Sequence, residues 1–138
     1  MQRRAFLAVL GGSGLAGLSG CTAIADLTED HDIAMSAHEF LPDSHTIEVG
    51  DTVIWENTGS RAHTVTAYDG GQPEGAVFFA TGEFDNEHDA RTAWYDDRAG
   101  SIYTGDRFEH TFETPGDHDY YCVPHERGGM IGRIVVEE

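Results

Sequence analysis

Lysine is missing from this 138-residue chain: all eight basic residues are arginine, and they stand against 25 acids, for a net charge of −17. A surface of that sign repels nucleic acid and anionic membrane surfaces, so no nucleic-acid partner is expected. Cysteine is scarce, with only Cys21 and Cys122, so at most one disulfide can form within the chain. No apolar run approaches the ~20 residues of a membrane-spanning helix. No repeat or low-complexity tract is visible, and the length suits one domain with a packed core, read as a monomer. No carboxylate pair suggests acid–base catalysis and no motif supports a Ser-His-Asp triad, so the chain is not read as an enzyme. The acidic clusters instead read as a solvated surface. Together with the missing lysine they read as the composition of a protein built for molar salt, where the Debye length falls to ~3 Å and long-range charge steering is lost. A merely acidic protein is the alternative, which accounts for the acidity but not readily for the absence of lysine.

The first 20 residues read as an address. Arg3-Arg4 precede Ala5-Phe6-Leu7, a weakly apolar Gly/Ala-rich run follows from Ala8 to Leu18, and Leu18-Ser19-Gly20-Cys21 closes it. Paired arginines mark the twin-arginine export route. The Leu-Ser-Gly-Cys ending resembles a lipobox, in which the cysteine becomes the lipid-bearing first residue of the mature protein. An uncleaved amphipathic N-terminus is the alternative. The expected organisation is a signal segment over 1–20, a tether over 21–30 from a lipidated Cys21, and a folded domain over 31–138. Cleavage before Cys21 leaves 25 acids against six arginines, a net of −19. Ten extended residues reach at most ~35 Å, which keeps the domain close to the outer, extracytoplasmic face of the cell membrane. A Cys21–Cys122 disulfide is the competing use of the two cysteines.

From His31 onward the pattern is that of short strands. Ile33, Met35 and Ala37 alternate with polar residues, as do Ile47 and Val49, Val53 and Trp55, His63 and Val65, Phe108, His110 and Phe112, and Ile134 and Val136. Turn signals separate them at Phe40-Leu41-Pro42-Asp43, Gly50-Asp51, Asn57-Thr58-Gly59 and Pro115-Gly116-Asp117. In the strand ending at Cys122, His118, Tyr120 and Cys122 point one way and Asp119 and Tyr121 the other. Many short strands with frequent turns predict an all-β, two-sheet sandwich. Residues 67–105 fit least well: they form a long loop, with a short helix predicted over Glu87–Tyr95.

The chemistry concentrates near the C-terminus, in Tyr120-Tyr121-Cys122-Val123-Pro124-His125-Glu126-Arg127-Gly128-Gly129-Met130. Cys122, His125 and Met130 make a C-x2-H-x4-M array: thiolate, imidazole and thioether on one loop. His63, in Asn57-Thr58-Gly59-Ser60-Arg61-Ala62-His63, offers a second imidazole. One Cys, two His and a distant Met are the donor set that holds a single copper ion for electron transfer. Zinc can use Cys/His/His with an open fourth position, but a thioether there is a poor match. Met35 is read as core packing. His31, His38, His45 and His88 are read as surface residues, and His110 and His118 as core histidines.

In these residues the chain resembles the cupredoxins, the small blue copper proteins, and within them the plastocyanins and halocyanins. The likeness runs from about Asp32 to Glu138 and is most specific at Tyr121-Cys122-x-Pro124-His125 and from Gly129 to Val136. It implies a Greek-key fold, one type 1 copper ion on His63, Cys122, His125 and Met130, and a backbone N–H from Thr64 to the sulfur of Cys122. It also implies an electron exit at the edge of His125 and a second route at an outward-pointing Tyr121. Glu126-Arg127 and Val123 depart from the plastocyanin pattern. The functional expectation is a membrane-tethered carrier that shuttles electrons between membrane redox complexes, its donor and acceptor, on the outer face of the cell. The alternative is a copper-delivery protein for assembly of a terminal oxidase, although the exposed Met/His clusters of such donors are missing. No His-x-His pair exists for the coupled centres of multicopper oxidases.

Overall fold

The computed structural model describes residues 31–138; the signal segment, the tether and Cys21 lie outside the described residues. Eight strands follow in order: β1 (Ile33–Met35), β2 (Phe40–Leu41), β3 (Ser44–Glu48), β4 (Thr52–Asn57), β5 (Thr66–Ala67), β6 (Arg107–Thr111), β7 (Gly116–Tyr121) and β8 (Ile131–Glu137). One helix, α1 (Glu87–Asp97), sits between β5 and β6. The strands form two four-stranded sheets, ordered β2-β1-β4-β6 and β3-β8-β7-β5. Both are mixed: β1 runs parallel to β4 and β3 parallel to β8, while the other pairings are antiparallel. This is the expected sandwich.

Alternation explains how the sheets close on each other. Val53, Trp55 and Asn57 of β4 are buried, as are Ile134 and Val136 of β8, with their neighbours turned outward. Trp55 is the centre of the core. Its ring lies 5.4 Å from Tyr120 and 5.5 Å from Phe108, with Phe79 and Phe112 just beyond. Burial of such rings supplies much of the hydrophobic stabilisation, and truncating one to alanine removes ~3–5 kcal/mol. Tyr120 is admitted by the residue opposite it in register, Gly132. A Cβ at Gly132 would stand 2.5 Å from the Tyr120 ring, so only glycine fits there.

Some local expectations give way to tertiary pairing. Phe40-Leu41 is a short strand, because it pairs with Ala34 and Met35 of β1, and the chain bends only at Pro42 and Asp43. β1 stops at Met35, leaving Ala37 outside it, and Val49 falls beyond β3 and is exposed. His63 and Val65 do not share a regular strand: His63 makes an isolated bridge to Ile102, and the strand begins at Thr66. The long middle segment is structured. It is stitched to β5 by a Thr66–Ala80 bridge, buries Phe79 in the core, and carries α1 as predicted, two residues longer. The helix starts where Asn86 accepts the Asp89 N–H and stops at Arg98, in the left-handed region at φ 63°. No helix among the described residues is long and apolar enough to cross a membrane.

Candidate metal centre

Cys122 leaves the end of β7 and is fully buried. The chain then makes a tight 3-10 turn over Val123–Gly128, with Pro124 in its first positions and Gly129 closing it at φ 96°. The turn is tied to its own ends. The Cys122 N–H donates to the Met130 carbonyl at 3.1 Å, the His125 N–H to the Cys122 carbonyl at 3.2 Å, and the Met130 N–H to the His125 carbonyl at 3.2 Å. Three of the four expected donor residues are therefore mutually hydrogen-bonded through their backbones, and the Met130 side chain is fully buried beside them. The fourth, His63, comes from a stretch distant in sequence, just before β5, and is anchored to Ile102 by N–H donation at 3.0 Å and carbonyl acceptance at 2.8 Å.

The side chains converge. Cys122 Sγ lies 3.6 Å from His63 Nδ1 and 3.4 Å from His125 Nδ1, and the three donor atoms all lie within 4.8 Å of one another. Among the described residues Cys122 is a free thiol; Cys21, the other half of the competing disulfide, lies outside them. The Thr64 N–H points at Sγ from 3.4 Å, as expected. His63 is fully buried, while His125 is only part-buried and gives the site its way out to solvent.

Two supports were not legible in the sequence. The Thr64 hydroxyl accepts the Val123 N–H at 2.8 Å and pairs with Thr66 Oγ1 at 3.1 Å, joining β5 to the first residue after the cysteine. Asn57, fully buried, donates to the Arg61 and Ile102 carbonyls at 2.8 and 2.9 Å and accepts the Gly59 N–H at 3.0 Å. It thereby fixes the loop that delivers His63. The sequence marks Asn57 as the start of the stretch that leads to His63, but neither its bonds nor those of the Thr64 hydroxyl can be read from it.

The electrostatics favour a soft cation. Burial, then the neighbouring His125, lowers the His63 pKa to about 4, while the Ser36 carbonyl acts in the other direction. Burial also lowers His125, with Arg61 and His38 adding to the effect. Both imidazoles are thus neutral near pH 7, with lone pairs free to bind. Burial pushes the Cys122 thiol up to about 11, partly offset by the backbone N–H groups of Thr64 and His125. A cation changes that balance, since a coordinating thiol is deprotonated outright. Two neutral nitrogens and one sulfur facing one another form a donor set of the size and softness that fits copper.

One expectation is corrected. Tyr121 does not point outward: it is fully buried. Its ring stacks on Tyr68 at 4.3 Å, the Arg91 guanidinium lies 4.5 Å from its centroid, and its hydroxyl donates to Glu87 at 3.2 Å. The face of β7 beside Cys122 is covered by the middle segment, which alternation along β7 alone does not register. Glu126 belongs to the same cluster. Of the remaining histidines, His118 is buried between Gln72 and the Thr114 carbonyl, and His110 is part-buried and stacks on Phe79 at 4.8 Å.

A two-sheet Greek-key sandwich with a Cys/His/His/Met set at one end defines a blue copper protein, a cupredoxin. The chain belongs to the family described as copper binding proteins, plastocyanin/azurin family, whose model matches residues 28–137. It is 30% identical over 98 residues to the chloroplastic plastocyanin of Tetradesmus obliquus, covering 71% of this chain and 58% of that one. It is 33% identical over 99 residues to the halocyanin of Natronomonas pharaonis, covering 71% of this chain and 48% of that one. The chain thus spans about half the length of these two curated relatives. Among solved structures, the purple cupredoxin of Nitrosopumilus maritimus superposes with a TM-score of 0.52 at 27% identity, over 76% of this chain and 97% of that one.

Proposed function

We propose that the protein is a one-electron carrier that holds a single copper ion on His63, Cys122, His125 and Met130 and is tethered to the outer face of the cell membrane by lipid on Cys21. The observation that carries the reading is the convergence of Cys122 Sγ, His63 Nδ1 and His125 Nδ1 within 4.8 Å, in a framework fixed by its own backbone hydrogen bonds. A bound copper ion supplies exchange between Cu(I) and Cu(II). The protein's part is to keep the donors in place: the chain from Cys122 to Met130, closed by its own backbone bonds, carries three, and the loop before β5, pinned by Asn57, carries the fourth. Donors that cannot relax favour fast exchange, because little rearrangement accompanies each electron.

The donor and acceptor are membrane redox complexes, and the part-buried edge of His125 is where they dock. Leu41 and Ile131, 49% and 43% exposed, flank a groove at Gly129 that supplies apolar contact. Arg61 and Arg127, two residues from His63 and His125 respectively, are exposed and make no side-chain hydrogen bond or ion pair among the described residues, although the Arg127 charge is felt by Glu126 beside it. Two unpaired cations at the mouth of so acidic a chain suit carboxylates on the partner, which arginine grips by short-range forked contacts. Copper titration of the metal-free protein tests the reading. Intense absorption near the red end of the visible range with reversible voltammetry is the expected result. A colourless Cu(I) form that passes its metal to an acceptor would overturn it in favour of copper delivery. The intact mass of protein extracted from membranes, with or without a lipid increment at Cys21, tests the anchor.

A further inference from the structure

The middle segment grips the metal-binding turn. Tyr68, just after β5, donates its hydroxyl to Glu126 Oε2 at 2.6 Å, and Arg91 of α1 donates to Glu126 Oε1 at 2.6 Å. Both oxygens of one carboxylate are thus held by different parts of the segment. Arg91 also pairs with Glu87 one turn earlier in the helix. Glu87 Oε1 takes the Asp69 N–H at 2.9 Å, and Asp69 Oδ1 returns the contact to the Glu87 N–H at 3.2 Å. The helix and the turn at 69–71 are therefore locked together as one body. Glu126 directly follows His125, and its carbonyl accepts the Gly129 N–H at 2.9 Å, the bond that closes the turn. The side chains of Arg91 and Glu126 are 31% and 27% exposed, so salt screens their pairing less than that of open surface charges.

We propose that Tyr68 and Arg91 are positioning residues for the metal centre: by holding Glu126 from outside the turn, they keep His125 in its ligand position before any metal arrives. The significance of this latch rests on the copper reading above, but its test does not. Hydrogen exchange is measured on the metal-free full-length chain in wild type, R91Q, Y68F and the control R133Q, which breaks the pairing of Arg133 with Asp117 and Asp119 on the sheet surface.

The expected result is a local opening. The amides of His125, Gly129 and Met130 exchange roughly tenfold faster or more in R91Q, the effect of losing one charge-assisted hydrogen bond. Y68F gives a smaller change in the same amides. The amides of Trp55 and Ile134 stay as in wild type, and R133Q leaves the turn unchanged. Unaltered exchange in the turn, or equal acceleration through both sheets, would overturn the latch. Y68F removes only a hydroxyl and decides the matter if R91Q does not fold. In the copper-loaded protein, R91Q and Y68F shift the visible band and the midpoint potential; no shift in either would also overturn it. A chain that refuses copper yet opens only at the turn sinks the carrier reading and leaves the latch standing. A blue, reversible protein without local opening does the reverse.

Discussion

Thr64→Val removes a hydroxyl and leaves the side-chain shape nearly unchanged. In the native protein that hydroxyl accepts the Val123 N–H at 2.8 Å and pairs with Thr66 Oγ1 at 3.1 Å. Thr64, Thr66 and Val123 are all almost fully buried, so water does not replace the lost acceptor. A buried N–H left without a partner costs ~1–3 kcal/mol, and the Thr66 hydroxyl loses one of its contacts as well. A value of ~2 kcal/mol corresponds to a fall in Tm of about 9 °C for a domain of this size. The assay is thermal and urea unfolding of the metal-free protein, since bound metal would add its own stabilisation by mass action. Thr64→Ser is the control: it keeps the oxygen, loses only a methyl, and should stay within ~1 kcal/mol of wild type. The backbone N–H of Thr64 still reaches Cys122 Sγ in both variants, so copper binding survives. A Thr64→Val loss under ~0.5 kcal/mol, or a Thr64→Ser loss as large as that of Thr64→Val, would refute the reasoning.

Pro124 has no N–H to offer the sulfur of Cys122; Pro124→Ala supplies one, draws electron density from sulfur, and raises the midpoint potential by tens of millivolts, at 59 mV per ~1.4 kcal/mol for one electron. A fall or no change on voltammetry counts against it. The double variant R61Q/R127Q should slow oxidation of the reduced protein by anionic hexacyanoferrate(III) several-fold while R133Q does not; equal slowing by both would assign the effect to net charge rather than to the docking face. Burial, then the nearby His118, lowers the pKa of His110. The unfolded chain takes up that proton near pH 6.5 and the folded one only at lower pH, so metal-free stability falls as pH drops below ~6.5. His110→Phe, which keeps the stack on Phe79, should make the decline shallower; an unchanged slope between pH 7 and 5 would contradict this assignment.

The donor set was legible because it is local. Cys122, His125 and Met130 sit within nine residues, and a thiolate, an imidazole and a thioether at that spacing have few other uses. His63, 59 residues before Cys122, needed the resemblance, since a single histidine on a short apolar stretch carries no signal of its own. The sandwich was legible for a similar reason: side-chain alternation along β4, β7 and β8 is a property of each strand by itself. What alternation cannot show is a second layer. Tyr121 obeys the period and lies on the face away from the core, yet it is buried, because Tyr68 and α1 come from elsewhere in the chain to cover it.

By itself, then, the sequence determined the strand periods, the short helix and the chemical identity of the donors, all of which depend on neighbours a few residues apart. Only the tertiary structure decided that Asn57 and Thr64 brace the site and that Glu126 is a held group rather than a free surface charge. Only it, too, decided that the face beside Cys122 is closed, whereas the open edge of His125 is what the resemblance already implied. Those outcomes depend on which distant segment comes to rest on which face. That is settled by the packing of the whole domain, where burial and hydrogen-bond pairing are shared among residues far apart in the chain.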